Sequence, residues 1–353
     1  MKRYRNNLLT RLLSTTAVAG LVLVGGCSAS TDAASPAAVS GTGGPASPPA
    51  TTVHTAPRTV PAGMGSDTPD GAFPRTVRHF EGSTTVPEAP KRVVAISTGQ
   101  ADALLTLGVV PVGSTRGDGA DLVPQYLKDD FPQDAARVAK TADLGSRLAP
   151  SIEAVANAKP DLILMNTAGK NAKALYTSLS AIAPTVATEG TGLYWKQDFL
   201  LVAAALGKTG QAQKFLDTYH ADAAKLGTSL NKPVTVSFLR QNGDRLRVFG
   251  VPSFTGSVAE DAGLGRPKTQ QFAKTSQDIS EEQLSRADAD WIFYGVQGGT
   301  AKASALTKAP LWPTLSAVAA KRAVPVDDDV FYLNTGPTAA RDVLATLKQH
   351  LQP

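Results

Sequence analysis

The stretch PSIEAVANAKPDLILMN, residues 150–166, decides the fold. Pro150 and Ser151 mark the start of a helix, since proline and small hydroxyl residues suit the first helical positions. The helical pattern ends near Pro160, and the apolar run DLILMN that follows is typical of a buried strand. A helix that leads directly into a strand is the repeating unit of α/β proteins with parallel sheets.

The same alternation recurs on both sides of this stretch. Its first set comprises RVVAIS (92–97), GQADALLTLGV (99–109), VPVGST (110–115) and ALYTSLSAIAPTVAT (174–188). A second set comprises PVTVSFL (233–239), RLRVFG (245–250), SFTGSVAEDAGL (253–264), SEEQLSRAD (280–288), DWIFYG (290–295), AVPVD (323–327) and TAARDVLATLKQHL (338–351). Between them lies a long helical pattern, interrupted at Gly207 and Gly210. The sequence therefore predicts an α/β protein: two Rossmann-like lobes with mostly parallel sheets, joined by a long rigid hinge helix.

The predicted organisation has five parts. They are a lipoprotein signal peptide (1–26), a disordered tether rich in Pro, Ala, Ser, Thr and Gly (27–74), an N-terminal α/β lobe (75–193), the hinge helix (194–231) and a C-terminal α/β lobe (232–353). The tether is poor in large apolar residues, so burial could not offset the entropy lost on ordering it. A glycosylated stalk is an alternative for this segment.

Four basic residues and no acid precede the short apolar run of the first 26 residues, as in a secretory signal. The run is too short for a membrane-spanning helix. The segment VGGC that ends at Cys27 resembles a bacterial lipoprotein box, and this resemblance implies that Cys27 is acylated and anchors the chain to the membrane outside the cytoplasm. The alternative is a buried structural cysteine, which could form no disulfide because Cys27 is the only cysteine.

The net charge of +5 does not indicate a nucleic-acid partner. Four of the positive charges belong to the predicted signal, so the mature chain is close to neutral. The sequence therefore predicts no polyanionic partner.

From about Arg92 to the C-terminus, the chain resembles the iron-siderophore-binding proteins of ABC transporters, the class III substrate-binding proteins. The matching segments are KRVVAIS, DALLTLGVVPVG, LGSRLAPSIEAVANAKPDLIL, LSAIAPTV, RVFGVPSFTGSVAEDAGL and ISEEQLSRADADWIFYG. The resemblance implies a monomeric receptor that binds a ferric siderophore between its lobes and delivers it to an ABC permease with its ATPase. It implies neither catalysis nor a resident cofactor.

In open α/β sheets, ligands bind beyond the carboxyl ends of the strands, so residues in the loops after strands are candidates. Arg147 in LGSRLAP is the foremost candidate, because hydroxamate-siderophore binders of this family carry an arginine at the matching position. A guanidinium group offers paired donors to the electron-rich oxygens around Fe(III) without competing for the metal. The alternative role for Arg147 is capping a loop.

Further ligand-binding candidates lie in loops, at strand ends and at the start of the hinge: Arg240, Arg116, Lys170, Tyr194, Trp195, Phe331 and Tyr332. Arg240 could equally face solvent, and core packing could explain Tyr194 and Trp195. Lys170 and Ala273 fall near positions where hydroxamate binders carry a tyrosine and a tryptophan. These differences leave the type of siderophore open, and a hydroxamate or mixed type is favoured. The lysine and the arginines would suit an anionic ligand.

The four histidines do not predict a site for a bare metal ion. Transition-metal sites need about three or four converging ligands, and none of these histidines stands in a carboxylate cluster with ligand spacing. Any iron is therefore expected to arrive already chelated. The acidic run at 327–329 is interpreted as a solvated turn.

Glu153 and Glu282 occupy equivalent places, each early in a helix that precedes a strand. In the family such a pair contacts arginines of the permease, one glutamate from each lobe. Favourable interaction with the helix dipole is the alternative explanation, and Glu281 is a neighbouring candidate.

Three other functions remain open from the sequence. Haem or cobalamin could be the ligand of the same fold, with Tyr194 or Tyr332 as a haem ligand. A secreted α/β hydrolase would need a Gly-x-Ser-x-Gly elbow, which GVPSFTGS does not provide. A cell-surface interaction protein without a transport role could keep the receptor fold.

Overall fold

The computed structural model describes residues 55–117, 121–299 and 302–352. The predicted signal peptide, Cys27 and residues 27–54 of the predicted tether lie outside the described residues. The N-terminal lobe contains the hairpin strands β1 (Arg75–His79) and β2 (Gly82–Val86) and a six-stranded sheet formed by β3 (Val93–Ala95), β4 (Gly113–Arg116), β5 (Ala142–Ser146), β6 (Ala149–Pro150), β7 (Leu162–Asn166) and β8 (Thr185–Thr188). The C-terminal lobe contains β9 (Val236–Asn242), β10 (Arg245–Phe249), β11 (Ser276–Ile279), β12 (Trp291–Val296) and β13 (Ala323–Pro325).

The six-stranded sheet has the order β6-β5-β4-β3-β7-β8 and is parallel except at β5–β6. The five-stranded sheet has the order β11-β10-β9-β12-β13, with β9, β12 and β13 parallel and β10 and β11 antiparallel to their neighbours. The prediction of two α/β lobes is confirmed. The antiparallel pair β9–β10 follows from the tight turn at QNGD, which reverses the chain.

The helices are α1 (Gln100–Thr106), α2 (Gln125–Asp130), α3 (Ala135–Val138), α4 (Ile152–Asn157), α5 (Ala172–Ser180), α6 (Trp195–Leu206), α7 (Thr209–Ser229), α8 (Phe254–Asp261), α9 (Ser304–Thr307), α10 (Ser316–Ala319) and α11 (Pro337–Leu351). SEEQLSRAD forms a 3₁₀-helix over Glu281–Ala287. The segment predicted as a solvated turn instead leads into one π-helical turn, Asp329–Leu333. None of the helices in the described ranges is long and apolar enough to cross a membrane.

Both faces of the N-terminal sheet are covered. Along β7, Leu162 and Leu164 pack into one apolar cluster, whereas Ile163 and Met165 pack into another on the opposite face. Alternate strand residues point to opposite faces, so a continuous apolar run is the pattern expected of a strand buried on both sides. This is why the stretch at residues 150–166 predicts the fold so directly.

The hinge consists of two helices rather than one. Helix α6 ends at Gly207, whose φ of 67° is a left-handed conformation that glycine adopts without strain. The Asp70 carboxylate then accepts hydrogen bonds from the backbone N–H groups of Thr209 (2.9 Å) and Gly210 (2.7 Å) and so caps α7. The interruption that the sequence shows at Gly207 is therefore a real helix end, and the 21-residue α7 is the long hinge helix.

Residues 55–74, which the sequence analysis assigned to a disordered tether, lie against the globular body. The Arg58 guanidinium is 2.7 Å from the buried carboxylate of Asp261 in α8, and the backbone N–H of Thr55 donates to Glu260. Asp70 caps α7, as described above. Composition suggested disorder because small residues and prolines bury little surface, but specific polar contacts hold this segment in place.

Candidate functional site

A cavity of about 320 Å³ lies between the lobes, and we call it the interlobe cleft. It is lined by Thr98, Gly99, Gln100, Ala103, Arg147, Asn166, Ala168, Thr188, Gly190, Thr191, Gly192, Trp195, Asp198, Phe199, Val202, Arg240, Arg247, Phe249, Thr275, Ser276, Tyr332, Leu333, Thr335, Gly336 and Pro337. In the N-terminal lobe these residues follow the carboxyl ends of β3, β5, β7 and β8 or terminate those strands. The cleft therefore occupies the edge at which open α/β sheets bind ligands.

Arg147 reaches the cleft from a tight hairpin turn. Strands β5 and β6 pair Ser146 with Ala149, which leaves Arg147 and Leu148 as the two turn residues. The backbone N–H of Arg147 donates to the carbonyl of Arg116, and that of Leu148 donates to the Ser146 hydroxyl. The turn thus fixes the backbone that carries the Arg147 side chain at the cleft wall.

Two arginines line the cleft from the C-terminal lobe. Arg240 in β9 and Arg247 in β10 are direct cross-strand partners, so their side chains leave the same face of the sheet. Arg240 is 5% exposed, and its Nε and Nη2 donate to the two Asp328 oxygens at 2.6 and 2.7 Å. Arg247 donates to Asp278, which also accepts from Arg245 at 2.7 Å.

Arg247 was missed by the sequence analysis, because its place opposite Arg240 depends on which two residues of QNGD form the turn. The hairpin turns at Gly243 and Asp244 rather than at the Asn-Gly pair, and this register places residue 247 opposite Arg240. An arginine aimed at the cleft from β9 therefore implies a second one from β10.

The floor of the cleft is one face of α6. Trp195, Phe199 and Val202 follow one another at helical spacing and all line the cavity. The Trp195 indole N–H donates to the Ser257 hydroxyl at 3.0 Å, and its ring meets Tyr219 edge to face. These contacts join the hinge to the C-terminal lobe. Trp195 is only 2% exposed, so its ring forms part of the cleft floor and is not free to stack on a ligand.

Asp198, also on α6, holds the loop that closes one side of the cleft. Its carboxylate accepts from the backbone N–H groups of Glu189 (3.0 Å) and Gly190 (2.8 Å). Burial raises the pKa of Asp198 to about 7, against the lowering effect of these two hydrogen bonds. Gly190 has a φ of 86°, and a Cβ there would lie 2.6 Å from the Asn166 side chain, so this close approach requires glycine.

Tyr332 forms part of the opposite wall. Its ring packs 4.8 Å from that of Phe249, and its hydroxyl donates to the Phe293 carbonyl at 2.8 Å. Burial, with the nearby Asp328 charge, raises the pKa of Tyr332 well above the usual range. The phenol is therefore neutral and directed into the lobe.

The two lobes are also joined beside the cleft by Asp102 of α1. Its carboxylate accepts from the backbone N–H groups of Thr338 (2.8 Å) and Ala339 (2.9 Å), which begin α11 in the other lobe, and from the Tyr126 hydroxyl. Asp102 is 1% exposed. A buried carboxylate of one lobe thus caps a helix of the other, close to cleft residues Gly336 and Pro337.

Four of the predicted ligand contacts do not line the cleft. Arg116 lies at the sheet surface, where it pairs with Asp143 of the neighbouring strand at 2.8 Å. Phe331 is 2% exposed and stacks on Phe293 in the core of the C-terminal lobe, because the π-helical turn directs it inward. Tyr194 lies outside the lining, next to Glu189, and Lys170 lines an adjoining groove. Ala273, which falls near the position where hydroxamate binders carry a tryptophan, lies in a separate groove.

Glu153 and Glu282 are both exposed and both occupy the second position of a helix. Other residues supply the caps: Ser151 accepts from the Ala154 N–H, and Ser280 forms a capping box with Gln283. The Glu282 carboxylate also accepts hydrogen bonds from the Ser280 hydroxyl and from its own backbone N–H, which lower its pKa, so interaction with the helix start stays an alternative role for these glutamates. Because helices that precede parallel strands begin at the carboxyl edge of the sheet, we expect both glutamates at the edge where the cleft lies.

No group of three or more His, Cys, Asp or Glu side chains within residues 55–117, 121–299 and 302–352 is placed to hold a metal ion. The acidic residues 327–329 make other contacts. Asp328 pairs with Arg240, and Asp327 accepts a hydrogen bond from the backbone N–H of Asp329.

Two α/β lobes, a helical hinge and a cleft lined from both lobes define a bilobal ligand-binding protein. Residues 93–330 match the family described as "Periplasmic binding protein", and the chain belongs to this family, whose members are binding proteins rather than enzymes. It is 32% identical over 294 residues to "Probable siderophore-binding lipoprotein YfiY" of Bacillus subtilis (strain 168), with 78% of this chain and 87% of that protein covered.

Two further relatives agree with this assignment. The "Fe(3+)-citrate-binding protein YfmC" of Bacillus subtilis (strain 168) is 26% identical over 291 residues, covering 79% of this chain and 88% of that protein. The crystal structure of Staphylococcus aureus SirA complexed with staphyloferrin B superposes with a TM-score of 0.67 at 26% identity, covering 78% of this chain and 98% of that one.

Proposed function

We propose that this chain is a receptor outside the cytoplasm that binds a ferric siderophore in the interlobe cleft and delivers it to an ABC importer. The observation that carries the proposal is the convergence of Arg147 from one lobe with Arg240 and Arg247 from the other on a single cavity. The names of the relatives, which include siderophore and ferric-citrate binders, support the same ligand class.

The charges of the cleft favour an anionic chelate. Asp328 neutralises Arg240. Asp278 forms ion pairs with both Arg245 and Arg247, so one carboxylate faces two guanidinium groups and that wall of the cleft keeps excess positive charge. Chelating oxygens around Fe(III) stay electron-rich and accept hydrogen bonds from guanidinium groups. Three hydroxamates neutralise Fe(III), so among hydroxamate siderophores a mixed type that also carries carboxylates meets these requirements best.

The two tyrosines considered as haem ligands are unsuited to that role. Tyr194 does not line the cleft, and the Tyr332 hydroxyl is directed at a backbone carbonyl inside the lobe. Chelated iron is therefore favoured over haem.

The remaining parts of the proposal concern partners and location. The acylated Cys27 would hold the receptor at the outer face of the cell membrane, as the lipoprotein name of the first relative supports. Glu153 and Glu282 would contact the permease, one from each lobe, and the receptor would act as a monomer. The excess charge in the cleft suits a small anionic ligand rather than a nucleic acid.

The test is a titration of intrinsic tryptophan fluorescence, for which Trp195 in the cleft floor is a natural reporter. The mature chain carrying Cys27→Ser is titrated with ferric hydroxamate, catecholate and carboxylate chelates, haem and cobalamin. We expect saturable quenching by one ferric class. Arg147→Ala should raise its Kd by about tenfold to a hundredfold, because one charge-assisted contact contributes about 1.5–3 kcal/mol.

Arg116→Ala is the matched control, since Arg116 is an arginine of the same lobe that lies outside the cleft. Its Kd should equal that of the unsubstituted chain. If the folded protein responds to no member of the panel, the uptake function is wrong and a surface interaction protein becomes the better interpretation.

A further inference from the structure

A second cavity, of about 710 Å³, adjoins the interlobe cleft on the N-terminal lobe, and we call it the side groove. It lies between the β5–β6 turn, the start of α4 and the first half of α5, and the turn that follows β7 forms its rim. Arg147, Asn166 and Ala168 line both cavities. The side groove is therefore continuous with the cleft.

The walls of the side groove are largely aliphatic. Ile96, Leu148, Ile152 and Leu175 line it together with several alanines. Leu148 is 68% exposed and Ile152 is 38% exposed, and they are the large apolar residues that the described part of the chain leaves exposed. Two such residues in one concave surface are typical of a binding site rather than of ordinary surface.

The β5–β6 turn sets the polarity of this region. Arg147 and Leu148 are its two consecutive turn residues, so a cation at the edge of the cleft stands next to an aliphatic side chain of the groove. The exposed Lys170 also lines the groove. A ligand that extends from cleft to groove therefore passes from cationic to aliphatic surroundings.

We propose that the side groove binds an aliphatic arm, such as an acyl chain, of the same ferric chelate whose iron centre occupies the cleft. This inference rests on the proposed function and narrows the ligand to an amphiphilic siderophore with an anionic chelating head. Continuity with the cleft favours this occupant over a permease segment, although Ile152 is next to Glu153 in the chain. Burial of the arm would also remove the exposed Leu148 and Ile152 from water.

The test compares two synthetic ferric chelates that carry both hydroxamate and carboxylate groups and are identical except for an acetyl or an octanoyl group, both below any micelle-forming concentration. Each buried methylene should tighten binding about fourfold, so burial of three would favour the octanoyl chelate about fiftyfold. Leu148→Ser should remove this preference and leave the Kd of the acetyl chelate unchanged. Leu148 is exposed, so the substitution leaves the fold intact.

Arg147→Ala is the complementary variant, because it should weaken both chelates by the same factor and keep their ratio. If the unsubstituted chain binds both chelates equally, in an Arg147-dependent way, the groove proposal is overturned and the proposed function stands. A preference that survives both Leu148→Ser and Ile152→Ser also overturns it. If these variants change only uptake through the permease and not chelate affinity, the groove is a permease contact instead. Failure of both chelates to bind would overturn the groove proposal, which requires such a head, and the proposed function falls with it only if no member of the panel binds.

Discussion

At the scale of the residue, Arg240 and Arg247 face each other across β9 and β10, and two guanidinium groups so placed would repel one another. Asp328 and Asp278 neutralise them from different positions. The Arg240–Asp328 pair is buried and bidentate, whereas Asp278 is 54% exposed. The two carboxylates are therefore expected to differ greatly in their contribution to stability.

Asp328→Asn should lower the free energy of unfolding by about 3 kcal/mol, because it leaves the buried Arg240 cation without a counter-charge. Asp278→Asn is the control and should cost less than about 1 kcal/mol, since its ion pairs are exposed to solvent. Urea denaturation at pH 7 measures both. Equal losses for the two variants would contradict this assignment.

His79 gives a prediction on pH. Its Nε2 lies 2.9 Å from the Thr84 hydroxyl, which itself donates to the Thr185 carbonyl, and its Nδ1 accepts from the Glu81 backbone N–H. These contacts require a neutral ring with the proton on Nε2. Burial lowers the pKa of His79 from 6.5 to about 4, so protonation favours the unfolded chain.

Neutral His79 contributes to the free energy of unfolding above pH 6.5, and this contribution is lost as the pH falls towards 4. The unfolding free energy of the unsubstituted chain, relative to that of His79→Gln, should therefore fall by about 3 kcal/mol between pH 7 and pH 4 and then level off. The difference is the quantity to measure, because burial raises the pKa of Asp198 to about 7 and contributes the opposite slope in both proteins. A difference that is constant with pH would show that His79 does not titrate in this way.

At the scale of the element, two helix starts, one at the hinge and one beside the cleft, are capped by carboxylates from distant parts of the chain. Asp102 on α1 caps α11 across the lobes, and Asp70 in the N-terminal segment caps α7. Asp102 is buried and Asp70 is exposed. The first cap joins two lobes in addition to the hinge, and this favours a small closure on ligand binding.

Asp102→Ala should lower the free energy of unfolding by about 3 kcal/mol, since it leaves buried N–H groups without an acceptor. Asp70→Ala should cost about 1 kcal/mol, which is typical of an exposed cap. Chemical denaturation measures the losses, and small-angle X-ray scattering should show a wider spread of lobe orientations for Asp102→Ala alone. Unchanged stability in Asp102→Ala would rule out this role.

At the scale of the whole molecule, we expect the cleft mouth and the two exposed glutamates on the same side. A permease that contacted Glu153 and Glu282 would therefore touch both lobes next to the ligand entrance. Small changes in the relative position of the lobes would then alter the distance between the two contacts. This arrangement would let a stiff receptor report ligand binding.

Charge reversal of both glutamates, Glu153→Lys with Glu282→Lys, should abolish stimulation of the transporter ATPase in proteoliposomes and leave the Kd for the ferric chelate unchanged. Each single reversal should weaken stimulation by an intermediate amount, because either lobe alone would still contact the permease. Glu281→Lys serves as the control for the neighbouring position. Full stimulation by the double variant would exclude these residues as the docking contacts.

The sequence by itself determined the α/β alternation, the two lobes and the placement of Arg147 after a strand. These features depend on local periodicity and turn chemistry, which neighbouring residues encode directly. Only the tertiary structure decided that Arg247 lines the cleft beside Arg240, that Phe331 lies in the core, that Arg116 pairs with Asp143 and that residues 55–74 pack on the body. Each of these features depends on a partner distant in sequence or on the geometry of a single turn. The pattern of apolar and polar residues encodes neither.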